Sequence, residues 1–102
     1  MADYNQVATL EGNGDPLKVK GALTFATVPA LASLAQHRTG FGKDNLVIDL
    51  ADVTHSDSAG LALLLQWVAE IRTAGYELRF INIPHQVEDF IRINGLAQLL
   101  IR

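Results

Sequence analysis

Four consecutive residues, His55-Ser56-Asp57-Ser58, carry the side-chain types with which hydrolases cut esters and amides: a hydroxyl nucleophile, an imidazole base and a carboxylate. In such triads the three groups converge from separate elements, which neighbours within one turn do not readily do. No G-x-S-x-G elbow accompanies them either. A polar turn entering a helix explains the tetrad better, so no catalytic residue is assigned and the chain is not expected to be an enzyme.

His37, His55 and His85 lie far apart and are read as solvated loop residues, without a ligating partner on a shared helix face, so no metal site is expected. Gly12-Asn13-Gly14 and Gly40-Phe41-Gly42-Lys43 complete neither of the phosphate-cradling motifs, G-x-x-x-x-G-K-S/T or G-x-G-x-x-G. No cofactor is expected, and nucleotide chemistry, where involved, belongs to a partner. The 8 Lys+Arg stand against 11 Asp+Glu, a formal charge of −3, with no basic cluster. Nucleic acid and direct insertion into or adsorption on a membrane are therefore disfavoured, because both polyanions attract proteins through neutralisation of their charge.

With no cysteine there is no disulfide, thiolate ligand or Cys nucleophile, which fits a reducing compartment. Met1–Glu11 lacks a basic segment followed by an apolar one, so no secretion signal is expected and a cytoplasmic location is. Gly21–Ala35 and Leu61–Val68 fall short of the roughly 20 apolar residues that cross a bilayer.

The elements that must position the tetrad follow from periodicity. A chain of 102 residues, 49% hydrophobic, suffices for a single domain, expected over 1–102. Gln6–Glu11 and Leu17–Gly21 read as an N-terminal hairpin around Gly12–Pro16. Thr27 as N-cap, Pro29 in the first turn and Leu31, Leu34 and Ala35 at helical spacing predict a helix to about His37. Leu46-Val47-Ile48-Asp49-Leu50 is nearly continuous aliphatic, as a central strand covered on both faces would be. A loop then leads to the longest helix, Ser58–Ala74, with Leu61, Leu64, Leu65, Val68 and Ile71 inward and Gly75 closing it. Tyr76–Ile83 reads as a strand, Val87–Asn94 as a short helix ended by Gly95, and Leu96–Ile101 as an apolar tail packed on the body. The predicted class is α/β: a mixed sheet with an antiparallel N-terminal hairpin and helices packed on the sheet.

Asp57-Ser58-Ala59-Gly60 then sits at the mouth of the long helix, outside the carboxyl end of the central strand, where open α/β sheets place their working surfaces. Capping by Asp57 or Ser58, worth about 1 kcal/mol, would by itself account for those residue types. At about 100° per residue, Ala59, Ala62, Leu63, Gln66 and Ala69 fall on the face opposite Leu61, Leu64 and Val68. Either the C-terminal segment covers this apolar face or it is a docking patch beside Ser58; Trp67 on the flank suits core or interface equally.

Leu46–Leu50, Val53 and Asp57-Ser58-Ala59-Gly60-Leu61 together resemble the STAS domain, the fold shared by sulfate-transporter tails and anti-sigma-factor antagonists. The likeness spans nearly the whole chain, with Gly21-Ala22-Leu23 as the family's early G-x-L element and Leu78–Ile83 as its late strand. Gly60–Leu65 is similar to the helix of the stand-alone MlaB type, the cytoplasmic subunit of the Mla phospholipid transporter. That resemblance implies a non-enzymatic accessory subunit of an ABC transporter, held at the inner membrane through its partner. Its contact with the transport ATPase would run through Asp57, Ser58, Ala59, Ala62, Leu63 and Gln66.

Asp57-Ser58-Ala59-Gly60 also resembles the phospho-acceptor motif D-S-x-G of the antagonists, which implies the alternative: an anti-sigma-factor antagonist switched by phosphorylation of Ser58, with an anti-sigma kinase as partner. Thr24 departs from the Asp that antagonists usually carry after G-x-L. The MlaB type often shows Thr at the position of Ser58, so both implications accommodate a hydroxyl there.

Overall fold

The computed structural model describes residues 8–12, 16–38 and 40–101. The expected strand start at Gln6 and Val7, most of the Met1–Glu11 segment in which no secretion signal is expected, and the turn residues Asn13–Asp15 lie outside them. The order of elements is β1 (Ala8–Glu11), β2 (Leu17–Leu23), α1 (Val28–Gln36), β3 (Leu46–Ser56), α2 (Ser58–Thr73), β4 (Leu78–Ile81), α3 (His85–Ile93) and α4 (Ala97–Leu100). The strands form one sheet in the order β1-β2-β3-β4, with β1 antiparallel to β2 and the remaining pairs parallel. This is the mixed α/β sheet with an antiparallel hairpin that the sequence predicts.

Alternation along the strands decides what each face can bury. Leu17, Ile48 and Phe80 stand side by side across the sheet, and with Val19, Leu50 and Leu78 they are buried under the helices. Leu31 and Ala35 of α1, Leu61, Leu64, Val68 and Ile71 of α2, Val87 and Ile91 of α3 and Leu100 of α4 complete this core. The C-terminal segment thus packs back on the body, against α2 and α3.

The next row, Lys18, Asp49 and Ile81, points the other way and begins a polar face. There Lys18 pairs with Asp52 at 3.2 Å and lies 4.0 Å from Asp49, while Lys20 pairs with Glu11 at 3.4 Å. The expectation that β3 is covered on both faces is therefore corrected. Asp49, itself buried and accepting from the Ala51 amide at 2.8 Å, interrupts the aliphatic run on the side that carries Lys18, and the exposed pairs Lys18–Asp52 and Lys20–Glu11 make that side a solvated face rather than a second core.

Two more expectations change. Residues 51–56 are not a loop but the second half of β3, paired with β2 through register shifts between Lys18 and Lys20 and between Gly21 and Leu23. The extra residues of β3 make its pattern irregular, which hides a strand from a test for strict alternation. Thr27 occupies the N-cap of α1 without capping it by its side chain. Its hydroxyl accepts from the Thr24 amide at 2.9 Å and donates to the Ala22 carbonyl at 2.6 Å.

The end of α2 is as predicted. Gly75, at φ +93°, takes the left-handed C′ position, donating to the Arg72 carbonyl at 2.9 Å while Tyr76 donates to Ile71 at 3.0 Å. Among the described residues no helix is long and apolar enough to cross a membrane.

Candidate functional site

The site is where two chain crossings meet: the turn from β2 into α1, and the junction of β3 with α2. Asp57 joins them. Its amide donates to the Leu23 carbonyl at 3.0 Å, one carboxylate oxygen accepts from the Gly60 amide at 3.0 Å, and the other accepts from the Phe25 amide at 2.9 Å. Asp57 is thus the N-cap of α2 and, with the same carboxylate, the clamp of the neighbouring turn.

Partial burial of Asp57 works against its ionisation, but hydrogen bonds from the amides of Phe25, Gly60, Ala59 and Asp57 itself outweigh it and hold the carboxyl below its ordinary value. The folded state therefore prefers the carboxylate and the unfolded chain binds the proton more readily. This contribution to stability is complete above about pH 5, and is lost as pH falls past the unfolded value near 4 and through the depressed folded value. Asp57→Ala is expected to cost about 1–2 kcal/mol at pH 7. Urea midpoints of the two proteins should begin to converge as pH drops below about 4 and meet only below the depressed folded value, where the wild type has lost the same interaction. An unchanged gap at low pH would remove the carboxylate from this role.

The mouth of α2 is consequently filled from within. An external anion would find the Gly60 and Ala59 amides already turned toward Asp57, so the helix end is not the ready anion site that its position in the sequence implies. Ser58, the first residue of α2, is exposed, and its hydroxyl makes no hydrogen bond among the described residues. His55 is exposed as well, with its ring bonded to the Thr54 hydroxyl at 3.1 Å rather than to Ser58. Nothing in this arrangement assembles a nucleophile with a base.

Of the residues assigned to a docking surface, Ser58, Ala62 and Gln66 form an exposed strip one helical turn apart, with Asp57 and Ala59 half-buried at its upper end. Leu63 does not belong to it. It is buried to 2% exposure, as is Trp67, which meets Phe41 edge-on at a ring-centroid distance of 5.9 Å. The error has a geometric cause. Leu61, Leu64 and Val68 alone centre the buried arc too far to one side, whereas the burial of Gly60 and Trp67 widens it until Leu63, about 40° from Trp67 around the helix, falls inside. Trp67 is accordingly core and no anchor for a partner.

Phe25, at 80% exposure, is the residue that periodicity missed. A large aromatic among Thr24, Ala26 and Thr27, where neither strand nor helix needs it for packing, is the signal that could have found it. A second omission concerns His85. It begins α3 and pairs with Asp89 one turn on at 3.4 Å, so it does have an acidic partner at i+4; both side chains are exposed, and no group of three metal-ligating residues occurs among the described residues.

A family model described as "Mlab, STAS domain" matches residues 7–102. The anti-sigma-B factor antagonist of Staphylococcus aureus is 26% identical over 84 residues, which is 82% of this chain and 78% of that protein. Among solved structures, the anti-sigma factor antagonist SpoIIAA in its unphosphorylated form has a TM-score of 0.67 at 16% identity, covering 93% of this chain and 86% of that one. The antisigma-factor antagonist STAS domain from Rhodobacter sphaeroides has a TM-score of 0.52 at 20% identity, over 93% of this chain and 92% of that one. The murine Solute Carrier 26 family member A9 anion transporter matches 86% of this chain with a TM-score of 0.70 at 22% identity, but this is only 15% of the transporter's length. The sheet order, the Asp57-capped helix and the family match over residues 7–102 agree, and the chain belongs to the STAS domain family.

Proposed function

We propose that the chain is a non-enzymatic accessory subunit of the MlaB type, which docks on the ATPase subunit of an ABC transporter for phospholipid and regulates it. The observation that carries this reading is the strip Ser58–Ala62–Gln66: small or neutral side chains, exposed on the first half of α2 away from its buried arc, with Gln66 donating to the Glu70 carboxylate one turn on at 3.1 Å. Small side chains let a partner's backbone approach closely, and the absence of charge on them spares the complex a desolvation cost. The match to a family described as Mlab points the same way. On this reading the protein is cytoplasmic and reaches the inner membrane only through its partner.

A second reading, an anti-sigma-factor antagonist phosphorylated on Ser58 by an anti-sigma kinase, is favoured by the antagonist of S. aureus and by the exposed hydroxyl of Ser58. The two separate on one pair of measurements. With the purified ATPase subunit, the wild type should bind, Ser58→Ala should retain binding at least in part, and Ala62→Arg should weaken it at least about tenfold by placing a charge in the contact. With cell extract and labelled ATP, an antagonist would take up stoichiometric label on Ser58 that is absent from Ser58→Ala. Label without ATPase binding would overturn the transporter reading.

A phosphate on Ser58 would add about −1.5 to −2 charges beside the Asp57 carboxylate, at a helix end whose amides are in use. Ser58→Asp is therefore expected to loosen either complex.

A further inference from the structure

We propose that Phe25 is the aromatic anchor of the docking surface and inserts into an apolar cleft of the protein partner that covers Ser58. This rests on the reading of that surface as the contact with the transport ATPase, and it adds a residue that the strip on α2 does not contain.

An exposed phenyl ring costs solubility and contributes little to the monomer, yet the backbone turn that carries this one is closed by several hydrogen bonds. The turn is closed by the Thr27 amide on the Thr24 carbonyl at 2.9 Å, and braced by the Thr27 hydroxyl between the Thr24 amide and the Ala22 carbonyl. The Phe25 amide itself is tied to Asp57 at 2.9 Å, and the next residue of the chain after Asp57 is Ser58. The ring is thus presented on a fixed backbone at the border of the Ser58 strip. With the backbone pre-ordered, only the two side-chain torsions of the ring remain to be fixed on binding, a small entropy cost for the apolar area it can bury.

Ile93 is equally exposed, at 81%, but lies in the last turn of α3, with no bond of that kind tying it to the Ser58 strip among the described residues. The charge at the site selects the occupant. A symmetric contact with a second copy would bring two Asp57 carboxylates to one interface, a like-charge arrangement that is unfavourable there. A different protein, offering an apolar cleft with a basic side chain beside it, matches both the ring and the carboxylate.

The test is titration of the purified ATPase subunit with the full chain by calorimetry. Phe25→Ala should bind about 30-fold more weakly than the wild type, and Ile93→Ala should stay within about twofold. Circular dichroism and thermal midpoint of Phe25→Ala should match the wild type, since the side chain packs on almost nothing. Phe25→Glu is the second variant, expected to abolish binding with the same unaltered fold. Wild-type binding with Phe25→Ala inside threefold of it would overturn the anchor while leaving the functional reading intact. No wild-type binding would overturn both. A wild-type dimer in sedimentation equilibrium that Phe25→Ala converts to monomer would overturn the choice of partner in favour of a second copy.

Discussion

Replacing Gly60 by alanine is expected to lower the thermal midpoint by about 12–24 °C, the effect of a loss on the order of 3 kcal/mol in a domain of this size. Propensity alone predicts the opposite sign, since alanine is better than glycine inside a helix by about 1 kcal/mol. Contact decides it. A Cβ on Gly60 would lie 2.7 Å from the Leu23 carbonyl carbon and closer still to its oxygen, and 2.5 Å from the Ser56 hydroxyl. The serine can rotate, but the carbonyl is backbone of β2 and already accepts the Asp57 amide at 3.0 Å. Moving it would break that bond, and moving α2 outward would open the core beneath Leu61 and Leu64. A differential scan in which Gly60→Ala melts with the wild type would show that α2 can step away from β2 at no cost.

The same contact explains what the D-S-x-G resemblance leaves unexplained. The glycine is needed because α2 begins where it touches the end of β2, and that approach is what lets one carboxylate cap a helix and clamp the turn of Phe25. The aspartate and the glycine are therefore one structural device, with Ser58 and Ala59 raised between them.

Much of this was readable in the residues. The hairpin, the internal position of β3, α2 from Ser58 and its stop at Gly75 each follow from a strong local signal: turn glycines, an aliphatic run, helical spacing, a left-handed cap. What local signals do not contain is what lies opposite. Ala51-Asp52-Val53-Thr54-His55 looks like a loop because its strand pairing with β2 is irregular and only Val53 of the five is buried. Asp49 looks like a fault in a doubly covered strand until Lys18 is seen beside it on the open face. Phe25 draws no attention from periodicity, being part of neither period. Its importance lies in a hydrogen bond to a residue 32 positions away.

Leu63 shows the limit most clearly, and its substitution carries the largest expected effect. Leu63→Asp should leave the chain unfolded, as Leu64→Asp should, because each places a carboxylate where exposure is 2% or less. No basic partner for either is evident among the buried residues. Losing the leucine packing alone costs about 2–5 kcal/mol, and an unpaired buried charge adds several more. A domain of this size holds only about 5–15 kcal/mol in all.

Ala62→Asp, one residue earlier but exposed, is the matched control and should shift stability by no more than about 0.5 kcal/mol. Near-ultraviolet circular dichroism reads the difference directly, since Trp67 lies on the same flank as Leu63, and its packing against Phe41 should vanish in Leu63→Asp and persist in Ala62→Asp. A folded Leu63→Asp with the wild-type Trp67 signal would put Leu63 back on the surface and reinstate it as a partner contact. If it unfolds, any loss of binding in a Leu63 variant reports the core, and the partner's footprint on α2 has to be mapped with Ser58, Ala62 and Gln66, whose side chains can change without disturbing the fold.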